Sequence, residues 1–310
     1  MTRAFILRRL VPLALGAAAA YGAQVLVRQA QKRMPPVDGP IDWARARRVA
    51  LRLSSWDRGA LGARSGLEAE YLRYSQQSEA VIAEYLGVNL PAPIEAVRVV
   101  DRKAWLEANF ETLSSSFAPL EAAYARWRSA GREPSPLDAQ LAGIQLGGMF
   151  GYLSRRVLGQ YDLSLLSPEP EERGVLYFVE PNIAKVQDDL GLGADFRRWI
   201  ALHEVTHVFE FEAYPWVRPY FRELLQSFMT RTAEGLSEQG VGLPQLFRRL
   251  AEGVSLERHW LSWLLRPEER ALFERVQALM SLVEGFSDHV MNALGRRLLP
   301  DFDAIEARVK

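Results

Sequence analysis

The residues best suited to chemistry lie in the segment ALHEVTHVFEF, which contains His203, Glu204 and His207. Side chains four residues apart on a helix point to the same face, so the two imidazoles would lie roughly 6 Å apart. Two imidazoles in this arrangement can share one zinc ion. Glu204 is rotated by about 100° from His203, so its carboxylate can act on a water molecule without binding the metal. The spacing therefore predicts a zinc site with Glu204 as the catalytic base.

A catalytic zinc needs a third protein ligand and one open position. The extended motif with a third histidine six residues later is absent, because Glu210 and Ala213 occupy its glycine and histidine positions. Glu284 and Asp288 lie four residues apart in a long helix predicted near the C-terminus. Glu284 is the predicted third ligand, and Asp288 is the predicted acceptor for a ligating imidazole. His289 is the alternative third ligand.

Two other interpretations of the motif are open. The histidines could be ordinary packing residues, or Glu204 and His207 could form the E-x-x-H pair of a di-iron site. A di-iron bundle needs a second such pair on another helix. Leu256 and Phe286 stand three residues before the other two histidines, which disfavours di-iron.

Composition narrows the possible functions further. The 310 residues are 48% hydrophobic and 25% charged, as in ordinary globular proteins. The chain has no cysteine, which excludes disulfides, thiol nucleophiles and thiolate metal ligands. The 38 basic and 38 acidic side chains cancel, so the charge footprint of a general nucleic-acid binder is missing.

The first 33 residues differ from the rest in charge. They carry six basic and no acidic side chains, which leaves 32 basic and 38 acidic side chains in the remainder. Residues 10–27 form an uncharged stretch between basic segments, which is typical of a membrane-directed sequence. It could be an uncleaved anchor, a cleaved signal peptide or a helix that packs on the body. We therefore expect a membrane-anchored or exported protein, or a cytoplasmic one if this segment packs on the body.

Hydrophobic periodicity predicts a mainly α-helical protein with a small β component. Residues 1–36 are interpreted as leader and linker, residues 37–173 as an N-terminal helical region, and residues 174–310 as the metal-binding region. Two short strands are predicted, at Ala96–Val100 and Val175–Val179. Helices are predicted from Asp42, over Leu67–Tyr85, from Asp101, over Leu137–Leu158, Asp195–Ala213, 216–232 and 244–264, and over Pro267–Leu294 with Gly295 as its end. The glycines at positions 143, 147, 148 and 151 predict close helix packing.

Other polar residues are weaker candidates for the site. His259 stands among tryptophans and leucines, which favours interior packing. Hydrolysis at a metal also needs a donor that stabilises the developing oxyanion. His289, Tyr214 and Arg218 are candidates for this donor, and Tyr220 could also face the cleft, but their positions favour structural roles.

The segments HEVTHVFEFEAYPWVRPYF and SLVEGFSDHVMNALG resemble the bacterial zincin-like metallopeptidase family of unknown substrate, one branch of which is associated with biosynthesis of the deazaflavin coenzyme. The resemblance extends from about Ile41 to the C-terminus. It implies a zincin-like fold in which His203 and His207 bind zinc, Glu204 is the base and Glu284 is the third ligand.

The sequence therefore predicts a gluzincin-like zinc peptidase of the H-E-x-x-H type that acts on a peptide or protein substrate. No nucleic-acid partner is expected, and the N-terminal segment is the expected membrane contact. The alternative is a non-catalytic protein that keeps the fold and a metal-stabilised core for binding. Glu204 favours the enzyme, because a purely structural metal site does not need a base beside its ligands.

Overall fold

A computed structural model describes residues 37, 39–54, 66–129, 136–161, 174–239 and 267–309. The leader, the polar segment 167–173, the helix predicted over 244–264 and His259 lie outside these residues. None of the helices in the described ranges combines the length and apolar composition needed to cross a bilayer.

The described residues are mainly helical with one small sheet, which confirms the predicted fold class. The strands are β1 (Val97–Val100), β2 (Gly159–Tyr161) and β3 (Leu176–Val179). The helices are α1 (Trp43–Ser54), α2 (Leu67–Leu86), α3 (Arg102–Ser116), α4 (Ala118–Ser129), α5 (Pro136–Leu153), α6 (Glu180–Asp189), α7 (Asp195–Val208), α8 (Val217–Gln239), α9 (Pro267–Leu298) and α10 (Phe302–Val309). A π-helical turn, Phe209–Ala213, follows α7 directly.

The sheet has the strand order β1-β3-β2. β1 runs parallel to β3 with Val97 opposite Leu176, and β2 runs antiparallel to β3 with Tyr161 opposite Leu176. Two strands come from the predicted N-terminal region and one from the predicted metal-binding region. The division of the chain at residue 173 stays a prediction. The sheet contains strands from both sides of this boundary.

Helix starts follow the expected capping chemistry at two places. The Asp42 carboxylate accepts a hydrogen bond from the Arg45 amide at 2.8 Å, and Asp101 does the same for Ala104 at 2.7 Å. Asp195 is different, because it is the first residue of α7 and its helix has no side-chain cap. The helix predicted to start there is confirmed.

Close packing of α5 against the α1 segment confirms the prediction for Gly143, Gly147 and Gly151, whereas a Cβ at Gly148 would have no neighbour within 4 Å. A Cβ atom at Gly143 would lie 2.5 Å from the Asp42 carbonyl oxygen, and one at Gly147 would collide with the Ala46 carbonyl oxygen. Side chains are absent at these positions so that two helix backbones can approach each other. The pair belongs to a hydrophobic cluster that also includes Trp105 and Phe110.

A second cluster packs the sheet, α2, α7 and α9 together around the site. Tyr71 on α2 stacks on Phe178 of β3, with ring centroids 4.2 Å apart. The Tyr71 hydroxyl donates to Glu180 Oε2 at 2.7 Å, and Arg197 on α7 forms an ion pair with the same carboxylate. Burial, and then the charge of Glu180, raise the pKa of Tyr71 far above its usual range, so its hydroxyl stays a donor. This network holds α7 to α2 and α6.

The prediction that Gly295 ends the last long helix was wrong. Gly295 lies inside α9, which continues to Leu298. A Cβ at this position would collide with the ring of Phe302, so the glycine makes room for α10 to fold back on α9. The sequence alone does not distinguish a glycine that is required for helix packing from a glycine that ends a helix.

Candidate metal centre

The two motif histidines, His203 and His207, lie one turn apart on α7. Their Nε2 atoms are 3.2 Å from each other, and their rings meet edge to face with centroids 4.7 Å apart. The helix carries Phe196, Ile200 and Val205 into the hydrophobic cluster, which fixes its rotation. Both imidazoles therefore present a ring nitrogen to one point.

The other ring nitrogen of each histidine has a polar neighbour. His207 Nδ1 lies 2.7 Å from Glu210 Oε2, and His203 Nδ1 lies 3.0 Å from Ser287 Oγ. Trp199 stacks on His203 with the two rings parallel within 2°. The expectation that Asp288 accepts from a ligating imidazole was wrong, because Glu210 and Ser287 occupy these positions. Such contacts orient the imidazoles toward a metal.

Helix α9 brings the predicted third ligand to the pair. Donor atoms of His203, His207 and Glu284 all lie within 4.8 Å of one another, and these residues could hold a metal ion. Glu284 is exposed, while the histidines are half-buried. The alternative ligand His289 is placed elsewhere, with its Nε2 2.9 Å from the Tyr85 hydroxyl. The structure thus brings together the three predicted ligands, and their role stays a prediction.

The Glu204 side chain lies against strand β2 at the sheet edge, and its charge also interacts with His207. It is buried, and a Cβ at Gly159 on β2 would lie only 2.6 Å from its Oε1. The backbone amide of Tyr161 on the same strand hydrogen-bonds the carboxylate. Burial raises the pKa of Glu204 to about 7, which His207 opposes and the charges of Glu284 and Glu210 support. A carboxylate with this pKa can accept and release a proton near neutral pH.

The two histidines have opposite electrostatic environments. Burial, and then the proximity of His207, lower the pKa of His203 to about 4. Burial would also lower the pKa of His207, but the hydrogen bond to Glu210 and the charges of Glu204, Glu210 and Glu284 raise it to about 9. The cluster therefore concentrates negative charge where a cation would bind.

The segment after α7 places several polar candidates beside the sheet. The Tyr161 hydroxyl donates to Glu212 Oε1 at 2.5 Å, and Arg218 pairs with Glu212 and also contacts the Tyr161 hydroxyl at 3.2 Å. Tyr214 packs edge to face on Phe286. Tyr220 is exposed and lies beside Trp216. Which of these groups faces a substrate stays a prediction.

The contributors to the site that were missed from the sequence include Gly159, Glu210 and Ser287. Glu210 had a detectable signal, since it stands three residues after His207 and therefore on a neighbouring helical position. Gly159 and Ser287 carried no signal, because their roles depend on contacts between distant segments. The strand that contains Gly159 was also not predicted.

The structure is mainly helical and has three candidate metal ligands with a buried carboxylate nearby. The sequence profile of the zincin-like metallopeptidase family matches residues 41–310. The chain therefore belongs to the zincin-like metallopeptidase family, which confirms the resemblance and assigns it to the metallohydrolases as a class.

A solved structure from Chloroflexus aurantiacus, described as a candidate hydrolase with a novel fold, is similar to this chain. The two share 47% sequence identity with a TM-score of 0.64, over 87% of this chain and 74% of the other. No match was found among curated proteins.

Proposed function

We propose that this chain is a zinc-dependent hydrolase that cleaves peptide or amide bonds. The observation that carries the proposal is the convergence of His203, His207 and Glu284 within 4.8 Å, beside a buried carboxylate with a pKa of about 7. Family membership supports the same class of reaction. The substrate remains a peptide or protein of unspecified sequence.

The donor set fits zinc. Two imidazoles and one carboxylate are a known ligand set for catalytic zinc, and they leave a position open. Glu284 is exposed, so the candidate centre is reachable from solvent. When bound, zinc supplies Lewis-acid activation of water and of the substrate carbonyl.

Glu204 is the proton carrier in this proposal. Its carboxylate accepts a proton from the attacking water and passes it to the nitrogen of the leaving amine, so one water is consumed for each bond cleaved. Gly159 leaves room for the carboxylate, and the Tyr161 amide holds it by a hydrogen bond. Glu210 and Ser287 orient the imidazoles through their Nδ1 atoms.

The test compares metal content with hydrolysis. The unaltered chain should contain about one zinc, and His203→Ala or His207→Ala should lose it. Glu204→Gln should keep the zinc and lose cleavage of a mixed peptide library, followed by mass spectrometry. The exposed Glu274→Gln on α9 is a matched control that should keep both.

Each failure identifies a different error. Full zinc in the histidine variants would contradict the ligand assignment. Cleavage by Glu204→Gln at the unaltered rate would contradict its role as base. A zinc-loaded chain that cleaves nothing in the library would instead favour the alternative, a non-catalytic binding protein with a metal-stabilised core.

A further inference from the structure

Tyr161, the last residue of β2, is held at two points by carboxylates from one continuous helical segment. Its backbone amide donates a hydrogen bond to the buried Glu204 on α7. Its hydroxyl donates to Glu212 Oε1 at 2.5 Å, and Glu212 belongs to the π-helical turn that follows α7. Two side chains eight residues apart in the sequence therefore contact the same residue.

The π-helical turn explains why both carboxylates reach β2. On an uninterrupted α-helix, the side chains of Glu204 and Glu212 would point about 80° apart. A π-helical turn closes its hydrogen bonds over five residues instead of four, so it takes up one extra residue. This extra residue reduces the angle between the two side chains to about 20°. The turn Phe209–Ala213 therefore brings Glu212 to the side of the helix on which Glu204 lies.

Arg218 on α8 links the same two groups. It forms an ion pair with Glu212 and donates to the Tyr161 hydroxyl at 3.2 Å. The side chains of Arg218 and Glu212 are only 13% and 19% exposed, so solvent screens their charges weakly. Hydrogen bonds that involve a charged group are stronger than neutral ones. The hydroxyl of Tyr161 is therefore firmly held.

Packing also restrains the Tyr161 ring. The ring stacks on Phe211 of the π-helical turn, with centroids 6.3 Å apart, and a Cβ at Gly174 would collide with its hydroxyl. Strand β2 has three residues and lies at the edge of the sheet that the described strands form. Because so short an edge strand is weakly held by its own ladder, the side chain of Tyr161 contributes to fixing its end.

We propose that Tyr161 is a positioning residue for Glu204. The pair of Glu212 and Arg218 holds its hydroxyl, and the hydroxyl in turn keeps its backbone amide at the Glu204 carboxylate. This inference rests on the proposed function, in which that carboxylate takes a proton from water and passes it to the leaving amine. A base transfers protons efficiently only when its own orientation is fixed by such supporting contacts.

Tyr161→Phe is the direct test, because it removes the hydroxyl and keeps both the stacked ring and the backbone amide. Residue-resolved hydrogen exchange of the full chain reports on this amide without substrate or zinc. We expect the amide of residue 161 to exchange about tenfold faster in the variant, after correction for the intrinsic rates of the two residue types. Tyr74→Phe is the matched control, because its hydroxyl also donates to a carboxylate, Glu70 at 2.7 Å, but on α2. It should leave exchange at position 161 unchanged.

A second exchange measurement tests the connection to Glu204. Glu204→Ala alone should speed exchange of the Tyr161 amide, because it removes the acceptor. Adding Tyr161→Phe to this variant should have little further effect, since both changes act on the same hydrogen bond. Circular dichroism checks that each variant is folded.

The cleavage assay then tests the consequence for the reaction. Tyr161→Phe should lower kcat about tenfold, with KM and zinc content unchanged, because a misplaced base slows proton transfer and leaves binding intact. A purely structural role of the hydroxyl would not separate kcat from KM in this way. Glu212→Gln should have a smaller effect, because its amide oxygen still accepts from the hydroxyl while the ion pair with Arg218 is lost.

Each of four results would overturn the proposal. Two concern exchange: an unchanged rate at position 161 in Tyr161→Phe, or additive effects of Tyr161→Phe and Glu204→Ala. The others are an unchanged kcat in Tyr161→Phe, or loss of its zinc, which would mean that the hydroxyl acts on the ligands. A zinc-loaded unaltered chain that cleaves nothing would contradict the proposed function instead, and the exchange rates would still decide whether the hydroxyl holds the amide.

Discussion

At the scale of single residues, the candidate centre depends on the two histidines and on the polar side chains that contact their Nδ1 atoms. His207 has Glu210 at its Nδ1, and His203 has Ser287. These contacts leave the Nε2 atoms facing each other at 3.2 Å. In each imidazole, Nδ1 contacts a polar side chain and Nε2 faces the other histidine. The two Nε2 atoms are therefore oriented so that they could bind one shared cation.

Replacing Glu210 with glutamine should weaken zinc binding by about tenfold, at the lower end of the range for such contacts. The amide keeps the shape of the side chain but removes the charge that favours a ligating His207. Competition with a chromophoric chelator measures the affinity, and Glu274→Gln serves as the exposed control. Unchanged affinity in Glu210→Gln would show that the contact does not position the ligand.

Zinc affinity should also depend on pH. A protonated imidazole cannot bind a metal, and before metal binds the pKa of His207 is raised to about 9. Affinity should therefore rise from pH 7 to about 9 and then level off, while His203 is already neutral in this range. In Glu210→Gln the rise should end at a lower pH, because the hydrogen bond that raises the pKa is weaker. A flat profile for the unaltered chain would contradict this assignment.

At the scale of elements, glycines decide how closely two segments approach. Gly159 lets strand β2 pass beside Glu204, and Gly147 lets α5 pass beside α1. Neighbouring glycines in the same helix differ in this respect, since a Cβ at Gly148 would have no atom within 4 Å. The adjacent positions 147 and 148 therefore form a matched pair for measuring the cost of an added methyl group.

Gly147→Ala should destabilise the protein by about 1–3 kcal/mol, because the new Cβ collides with the Ala46 carbonyl oxygen and forces the helices apart. Gly148→Ala should stabilise it by up to about 1 kcal/mol, because alanine favours the helix and meets no obstacle. Thermal unfolding followed by circular dichroism compares the two. If both substitutions stabilise the protein, the close packing of α1 on α5 is incorrect.

At the scale of the whole molecule, segments that are far apart in the chain meet around α7. Residues from α2, the sheet, α9 and α10 share one hydrophobic cluster with α7, the helix that carries the two candidate histidine ligands. The polar network of Tyr71, Glu180 and Arg197 lies at the junction of α2, α6 and α7. A buried carboxylate that loses a partner retains its desolvation cost, so this junction is sensitive to small changes.

Tyr71→Phe should cost about 1.5–3 kcal/mol of stability, because the hydroxyl donates to a buried charged group while the stacked ring is retained. Tyr74→Phe on the same helix is the control, since its hydroxyl donates to the more accessible Glu70 at 2.7 Å. We expect about 0.5 kcal/mol or less there. Equal melting temperatures for the two variants would show that the junction does not contribute as described.

The sequence alone determined the features that depend on local geometry. The relative positions of His203, Glu204 and His207 and the amphipathic helices follow from helical periodicity. The capping by Asp42 and Asp101 follows from the residue type at the helix start. Hydrophobic strand segments were equally clear for β1 and β3. These features involve residues within a few positions of one another, where backbone geometry leaves few alternatives.

Only the tertiary structure decided which distant residues meet the pair. It placed Glu284 beside the imidazoles and His289 against Tyr85, although both residues lie on the same helix. It also brought Ser287 to His203 and Gly159 to Glu204. The rotation of α9 and the position of β2 depend on how the whole core packs, and no local pattern in the sequence specifies that packing.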